Sequence, residues 1–145
     1  MRELIATVRS RGIIVKEDFV AFHRWKEAPD EVAFLRDFHR HLFKIEVTLN
    51  VSHGNRQLEF FDVQKCLRSI VRKEFEGKRF ELSCEQIAEE IGNRLAFNCY
   101  PVMLVQVSED GENAGVVSFN THERASGESA EQPVKLVRTF DGSPN

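Results

Sequence analysis

The segment His39-Arg40-His41 places two imidazoles one residue apart at the start of an alternating run that continues to Val51. In a β-strand, residues i and i+2 point to the same face, so both rings share a face with the apolar residues of the run. Those residues are Phe43, Ile45, Val47, Leu49 and Val51. The Cβ atoms of the two histidines would be about 6 to 7 Å apart, which lets their ring nitrogens converge on one metal ion. The pattern therefore predicts part of a metal site at one end of a strand.

A second strand must lie just before this one in the chain. Alternation from Ile13 to Trp25 predicts a strand with Phe19, Ala21, His23 and Trp25 on one face. A loop follows, in which Pro29 and the acidic residues after it favour a short helical turn. The strand with the paired histidines is then expected to run from His39 to about His53.

Two helices and a hairpin are predicted in the rest of the domain. The first helix should begin at an Asp62 cap and the second near Ser83, with Gly92 as a weak point in the second. Val102 to Glu109 and Ala114 to Phe119 read as the strands of a hairpin with a turn between them. The first helix carries the apolar stripe Val63, Cys66, Leu67, Ile70 and Val71. The order ββααββ predicts an α+β fold with an antiparallel sheet and two helices on one face.

Composition limits the class of protein. A chain of 145 residues with 41% apolar residues is long enough for one domain, which we expect to span residues 1–119, and the polar residues 120–145 are predicted to form a tail. The net charge of −3, with basic and acidic residues interspersed, argues against nucleic-acid binding. No apolar run has the length of a membrane span and no secretory leader is evident, so we expect a cytoplasmic protein without membrane contact. The three cysteines are widely spaced, which argues against a disulfide framework.

The histidines lie in motifs that are similar to those of a known family. Phe19-Val20-Ala21-Phe22-His23 and His39-Arg40-His41-Leu42-Phe43-Lys44 resemble the F-x-A-x-H and H-G-H-N-Y-K motifs of the 6-pyruvoyl-tetrahydropterin synthase and 6-carboxytetrahydropterin synthase family. Weaker matches are Glu59-Phe60-Phe61-Asp62-Val63, Ser83-Cys84-Glu85 and Val105-Gln106-Val107-Ser108-Glu109. The resemblance covers roughly residues 13–119.

The resemblance implies a fold, a cofactor and a ligand. It implies that His23, His39 and His41 bind Zn²⁺, and that Glu109 grips the edge of a pterin or purine-like ring, with Glu85 as a second pocket residue. It further implies the tunnelling fold, in which sheets of several subunits join into a barrel, and hence a homo-oligomer, expected to be a hexamer. Glu109 ends a strand on the face that also carries Met103, Val105 and Val107, which suits a carboxylate at the floor of a pocket.

The catalytic part of the family pattern is not present. The positions of the family's cysteine hold Ala33, Phe34 and Leu35, and the segment between the helices lacks the family's Asp-His pair. Asp37, two residues before His39, is the best candidate for a replacement acid or base. The weaker candidates are Asp30, Glu31, His53, His122, Cys84 and Cys66, and the cations Arg24, Arg36 and Arg40 are candidates to meet an anionic group of a ligand.

Three functions stay open at this point. The first is a lyase that acts on the side chain of a dihydropterin triphosphate, or on a 7-deazapurine precursor of the kind used in queuosine biosynthesis. The second is a non-catalytic relative that binds a metal and a pterin or purine-like molecule. The third is an enzyme similar to dihydroneopterin aldolase, since Glu76-Gly77-Lys78-Arg79-Phe80-Glu81-Leu82 and the residues that follow resemble a helix start of that family. The aldolase family uses no metal, so metal content separates the third function from the other two.

Overall fold

The computed structural model describes residues 1–122, so the predicted tail beyond residue 122 lies outside the described residues. Within residues 1–122, no helix is long and apolar enough to cross a membrane. The strands are β1 (Arg11–His23), β2 (His39–Val51), β3 (Arg79–Phe80), β4 (Val102–Glu109) and β5 (Ala114–Ser118). The helices are α1 (Phe60–Glu74) and α2 (Cys84–Phe97), with a short 3-10 helix (Asp30–Arg36) between β1 and β2. The predicted order ββααββ is confirmed, the 3-10 helix lies where a short helical turn was predicted, and β3 is an addition.

The five strands form one sheet in the order β3-β1-β2-β4-β5. The sheet is mixed, and in this respect the prediction of an antiparallel sheet was wrong. β3 pairs in parallel with the end of β1, where Phe22 lies beside Arg79 and His23 beside Phe80. This short pairing arises because the connection between the helices returns along the free edge of β1, where the Phe22 N–H donates to the Lys78 carbonyl at 2.9 Å.

The alternation predicted for β2 is confirmed. Residues Phe43, Ile45, Val47, Leu49 and Val51 are buried under the helices. α1 packs on β1, and α2 packs on β4 and β5, so both helices cover the same face of the sheet. Beside the histidines, the core consists of four phenylalanine rings that stack or meet edge to face, namely Phe19, Phe43, Phe75 and Phe80. This core fixes the ends of β1 and β2 that carry the site.

The helix starts show which local signals were decisive. The Asp62 cap was wrong: Glu59 is the N-cap of α1, and its carboxylate accepts from the Phe61 and Asp62 N–H groups. The Ser83 start is confirmed, with a capping box in which Ser83 and Gln86 satisfy each other's backbone N–H groups. Gly92 leaves room for the ring of Phe119, since a Cβ there would lie 2.1 Å from Cζ of that ring.

β4 departs from simple alternation at its start. The register between β2 and β4 shifts at Thr48 and Leu49, which indicates a bulge. As a result Val102 is buried and Met103 is 38% exposed, so the prediction that Met103 shares the buried face was wrong. Beyond the bulge the pattern returns, and Glu109 pairs with Phe43 at the end of the strand beside the histidines.

Candidate metal centre

The register of β1 against β2 brings the three histidines together. His23 is the direct cross-strand partner of His39, and Ala21 is the partner of His41. The ring centroids of His23, His39 and His41 are 4.6 to 5.1 Å apart, and the three rings meet edge to face. One nitrogen of each ring lies within 4.8 Å of the corresponding nitrogen of the other two. The three predicted ligands therefore form one cluster.

Each histidine uses its Nδ1 atom for a hydrogen bond to an oxygen. Nδ1 of His23 bonds to the Leu82 carbonyl at 3.0 Å, and Nδ1 of His39 bonds to the Asp37 carbonyl at 2.9 Å. Nδ1 of His41 bonds to the Asp110 carboxylate at 2.6 Å. Carbonyl and carboxylate oxygens are acceptors only, so each Nδ1 must carry the proton. A neutral ring in this tautomer presents a lone pair at Nε2, the state in which histidine binds a metal.

The Nε2 atoms of the three rings differ in their surroundings. Nε2 of His39 is buried and has no hydrogen-bond partner among the described residues. Burial also lowers the pKa of His23 below its usual value, against the opposing effects of the Leu82 hydrogen bond and the Glu109 charge. His23 is therefore disposed to be neutral, with a lone pair at Nε2. A buried nitrogen lone pair without a donor is costly, and a cation at the centre of the cluster would satisfy it.

Glu109 lies against the same nitrogens. Its Oε1 atom is 3.1 Å from Nε2 of His23, and its Oε2 atom is 3.6 Å from Nε2 of His41. Two lone pairs at these distances repel unless a proton or a cation lies between them. The donor set of three imidazoles beside one carboxylate is typical of zinc sites, so the residues present fit a divalent metal ion. The sequence prediction for Glu109 named only a ring-binding role.

Asp110 is a residue of the site that the sequence analysis missed. Its Oδ2 atom holds His41, and its Oδ1 atom accepts from the Leu42 N–H at 2.9 Å. These two hydrogen bonds lower the pKa of the Asp110 carboxyl below its usual value. The sequence offered one signal, because Asp110-Gly111 is a hairpin turn that directly follows Glu109. This signal predicts a turn and gives no indication of a contact with His41.

A cavity of about 590 Å³ opens beside the histidines. This volume is within the range of roughly 300–1,000 Å³ that is typical of small-molecule sites. Its lining includes the carboxylates of Glu81, Glu85 and Glu109, whereas Arg24 is its one cation among the described residues, 2.8 Å from Glu81. Its apolar and polar walls also include Trp25, Leu35, Leu82, Gln86 and Asn113. The cavity therefore suits a ligand that is partly apolar and carries N–H donors.

The other predicted residues are distributed unevenly around this cavity. Glu85 lines it, and its ligand-binding role stays a prediction. Asp37 contributes its backbone carbonyl to His39, while its carboxylate is exposed and outside the cavity lining. Arg36 is engaged by Asp30 and by the Ala28 carbonyl. The remaining candidates Glu31, Arg40, His53 and His122 are exposed and do not line the cavity.

Cys84 lies in the cavity wall but is poorly suited to act as a nucleophile. Its Sγ atom is 3.9 Å from Oε1 of Glu109. Burial, with the nearby charges of Glu109 and Glu85, raises the pKa of the thiol to about 12. A thiol with this pKa stays protonated near neutral pH, and the thiolate is the reactive form. Cys66, the other cysteine considered, lies on α1 beside the core, and burial raises the pKa of its thiol too.

Comparisons with known proteins support the fold at the level of structure. No family model and no curated protein sequence matches the chain. Among solved structures, an uncharacterized protein from Wolinella succinogenes superposes with a TM-score of 0.65 at 13% identity, over 78% of this chain and 100% of its own. The 6-pyruvoyl tetrahydropterin synthase of Caenorhabditis elegans superposes with a TM-score of 0.58 at 14% identity, over 79% of this chain and 100% of its own. The chain thus has the α+β fold of a tetrahydropterin synthase, with a cluster of three histidines on it.

Proposed function

We propose that the protein binds a divalent metal ion, Zn²⁺, through the Nε2 atoms of His23, His39 and His41, and a pterin or purine-like molecule in the adjacent cavity. The observation that carries this proposal is the hydrogen bonding of the three rings. All three Nδ1 atoms face acceptor-only oxygens, so the lone pair of each ring lies on Nε2 and the three lone pairs converge. The Nε2 atom of His39 has no hydrogen-bond partner among the described residues. When bound, zinc would supply Lewis acidity at a position that borders the cavity.

The cavity supports the class of ligand. Glu109 lies against Nε2 of His23 and also lines the cavity, and Glu85 at the start of α2 lines the cavity as well. Carboxylates accept charge-assisted hydrogen bonds from ring N–H groups, which pterins and purines carry along one edge. We propose that Glu109 turns to the ring edge when the ligand binds, with Glu85 as a second polar contact. The exposed indole of Trp25 provides an aromatic surface at the same cavity.

The charge of the cavity favours a binder over the lyase. A dihydropterin triphosphate carries several negative charges, whereas three carboxylates and one guanidinium line the cavity of one protomer. The raised pKa of the Cys84 thiol disfavours a thiolate nucleophile, and the carboxylate of Asp37 lies outside the cavity. We therefore propose binding of a ring without phosphates as the function that the geometry supports best. The lyase reaction on a dihydropterin triphosphate side chain is the second candidate, and it requires an acid or base from elsewhere in a homo-oligomer.

An experiment on purified protein tests the metal and the ligand separately. Metal analysis after zinc loading should give close to one Zn²⁺ per chain for the wild type and for His53→Ala, a histidine on an exposed loop. The double variant His39→Ala/His41→Ala should hold none, and zinc retained in this variant would overturn the assignment. A wild type without stoichiometric zinc would instead favour the metal-free function similar to dihydroneopterin aldolase.

Titration with pterin, with a 7-deazapurine and with dihydroneopterin triphosphate then tests the ligand. We expect the two neutral rings to bind more tightly than the triphosphate, with no turnover of any of them. Turnover of dihydroneopterin triphosphate would establish the lyase, and absence of binding by all three would refute the ligand class. Light scattering tests the homo-oligomer, including the hexamer expected from the resemblance.

A further inference from the structure

We propose that Asp110 is a positioning residue of the metal centre, which holds the imidazole of His41 in the tautomer that presents its Nε2 lone pair to the ion. This inference rests on the metal site proposed above and adds a residue that contacts neither the ion nor the ligand. The carboxylate would act only through His41. It differs in this from Glu109, which faces the cavity.

The geometry of the carboxylate supports the role. Oδ2 accepts from Nδ1 of His41 at 2.6 Å, a short distance that is typical of a charge-assisted hydrogen bond. Oδ1 accepts from the Leu42 N–H at 2.9 Å, which fixes the carboxylate against the backbone of β2. Both oxygens are thus committed to donors on adjacent residues of β2.

The partner of His41 differs in kind from the partners of the other two rings. His23 and His39 donate to backbone carbonyls, which any side chain at those positions would leave in place. His41 depends on a side chain, which substitution can remove. A carboxylate behind a metal-binding histidine fixes its tautomer and raises its basicity, and loss of such a partner typically costs about 10- to 100-fold in metal affinity.

The backbone at Asp110 restricts what can replace it. Asp110 has φ of 54° and Gly111 has φ of 75°, and the Glu112 N–H donates to the Glu109 carbonyl at 2.9 Å across them. Two successive positive φ values are those of a type I′ hairpin turn, which Asn, Asp and Gly tolerate. Asparagine and glycine therefore fit this position without backbone strain, and either substitution removes the carboxylate cleanly.

Two variants and one control test the proposal. Asp110→Asn can accept from only one of its two donors, because its amide nitrogen cannot accept, and Asp110→Gly removes both acceptors while it favours the turn. Glu112→Gln is the matched control, since it removes one negative charge from the same exposed turn. All three proteins should unfold cooperatively.

The first readout needs no metal. Long-range nitrogen-proton NMR on the metal-free wild type should show His41 protonated at Nδ1, and in both Asp110 variants the proton should move at least partly to Nε2. Glu112→Gln should match the wild type. A His41 tautomer that is the same in the wild type and in both variants would overturn the proposal, whether or not the protein binds zinc.

The second readout is metal affinity. Competition of Zn²⁺ with a chromophoric chelator should give an affinity about 10- to 100-fold lower for both Asp110 variants and unchanged for Glu112→Gln. Affinities equal to that of the wild type in both variants would overturn the proposal while they leave the three-histidine site intact. A wild type that binds no Zn²⁺ would overturn the proposed function itself, and the tautomer result would still decide whether Asp110 positions His41.

Discussion

Replacement of His39 by leucine should reverse the order of stability between variant and wild type when zinc is added. In the metal-free protein, Nε2 of His39 is buried without a partner among the described residues. A buried polar group in this state costs about 1–3 kcal/mol. His39→Leu removes that cost and loses one hydrogen bond, to the Asp37 carbonyl, that is worth about 1 kcal/mol. We therefore expect the metal-free variant to be as stable as the wild type or up to about 2 kcal/mol more stable.

Zinc should stabilise only the wild type. Free zinc at one hundred times the dissociation constant adds about 2.7 kcal/mol to the free energy of unfolding. His39→Leu keeps two of the three histidines and should gain little under the same conditions. The zinc-loaded wild type should therefore be more stable than the zinc-treated variant. In a chelator, the variant should be as stable as the wild type or more stable.

Urea unfolding followed by far-ultraviolet circular dichroism, in a chelator and in buffered zinc, measures both quantities. His53→Leu is the control: the exposed His53 lies beyond the far end of β2, so its replacement should leave the zinc response intact. A metal-free His39→Leu protein that is less stable than the wild type by more than about 1 kcal/mol would refute the argument from the buried nitrogen. Equal stabilisation of both proteins by zinc would refute the assignment of His39 as a ligand.

Three further outcomes are expected. Glu109→Gln should weaken binding of a pterin or deazapurine ring about tenfold or more in calorimetric titration, because it removes charge-assisted hydrogen bonds, and unchanged affinity would contradict the ring-binding role. Iodoacetamide should label the exposed Cys99 much faster than Cys84, because a pKa raised from 9.0 to about 12 lowers the thiolate fraction near pH 7 about a thousandfold. The labelling rate of Cys84 should keep rising with pH above the range in which an ordinary thiol levels off, and peptide mass mapping that shows equal rates for the two cysteines at pH 7 would contradict the burial of the Cys84 thiol. Gly92→Ala should destabilise the protein by about 1–3 kcal/mol because its Cβ meets the ring of Phe119. In a Phe119→Ala background the same change should be neutral or stabilising, since alanine favours a helix by about 1 kcal/mol, and additive effects in chemical denaturation would exclude this contact.

Two of the three clustered histidines could be predicted from strand alternation, which is a short-range property. His39 and His41 lie two residues apart at the head of an apolar run, so their shared face follows from the period of a strand. His23 required the register of β1 against β2, which periodicity does not give. The resemblance to a family motif supplied this third residue, and the register places it directly opposite His39.

The residues that surround the histidines could not be predicted in the same way. The Leu82 carbonyl reaches His23 because β3 returns beside β1, a pairing of only two residues that leaves almost no pattern in the sequence. The contact of Asp110 with His41 depends on the register between β2 and β4, which a bulge shifts at Thr48 and Leu49. Every residue also carries a backbone carbonyl, so no sequence motif predicts which carbonyl accepts a hydrogen bond from a histidine.

Because His23 pairs directly with His39, a metal ion bound by the three histidines would report on the folding of one hairpin. All three histidines belong to residues 11–51, so their Nε2 atoms are brought together once β1 and β2 have paired in this register. A slip of one residue would turn the imidazoles of one strand to the opposite face and dismantle the cluster. Zinc that binds the nascent hairpin would hold the native register before α1, α2 and the β4–β5 hairpin complete the sheet and its cover. The ion would then favour the correct register of β1 and β2 during folding, in addition to any role in ligand binding by the folded protein.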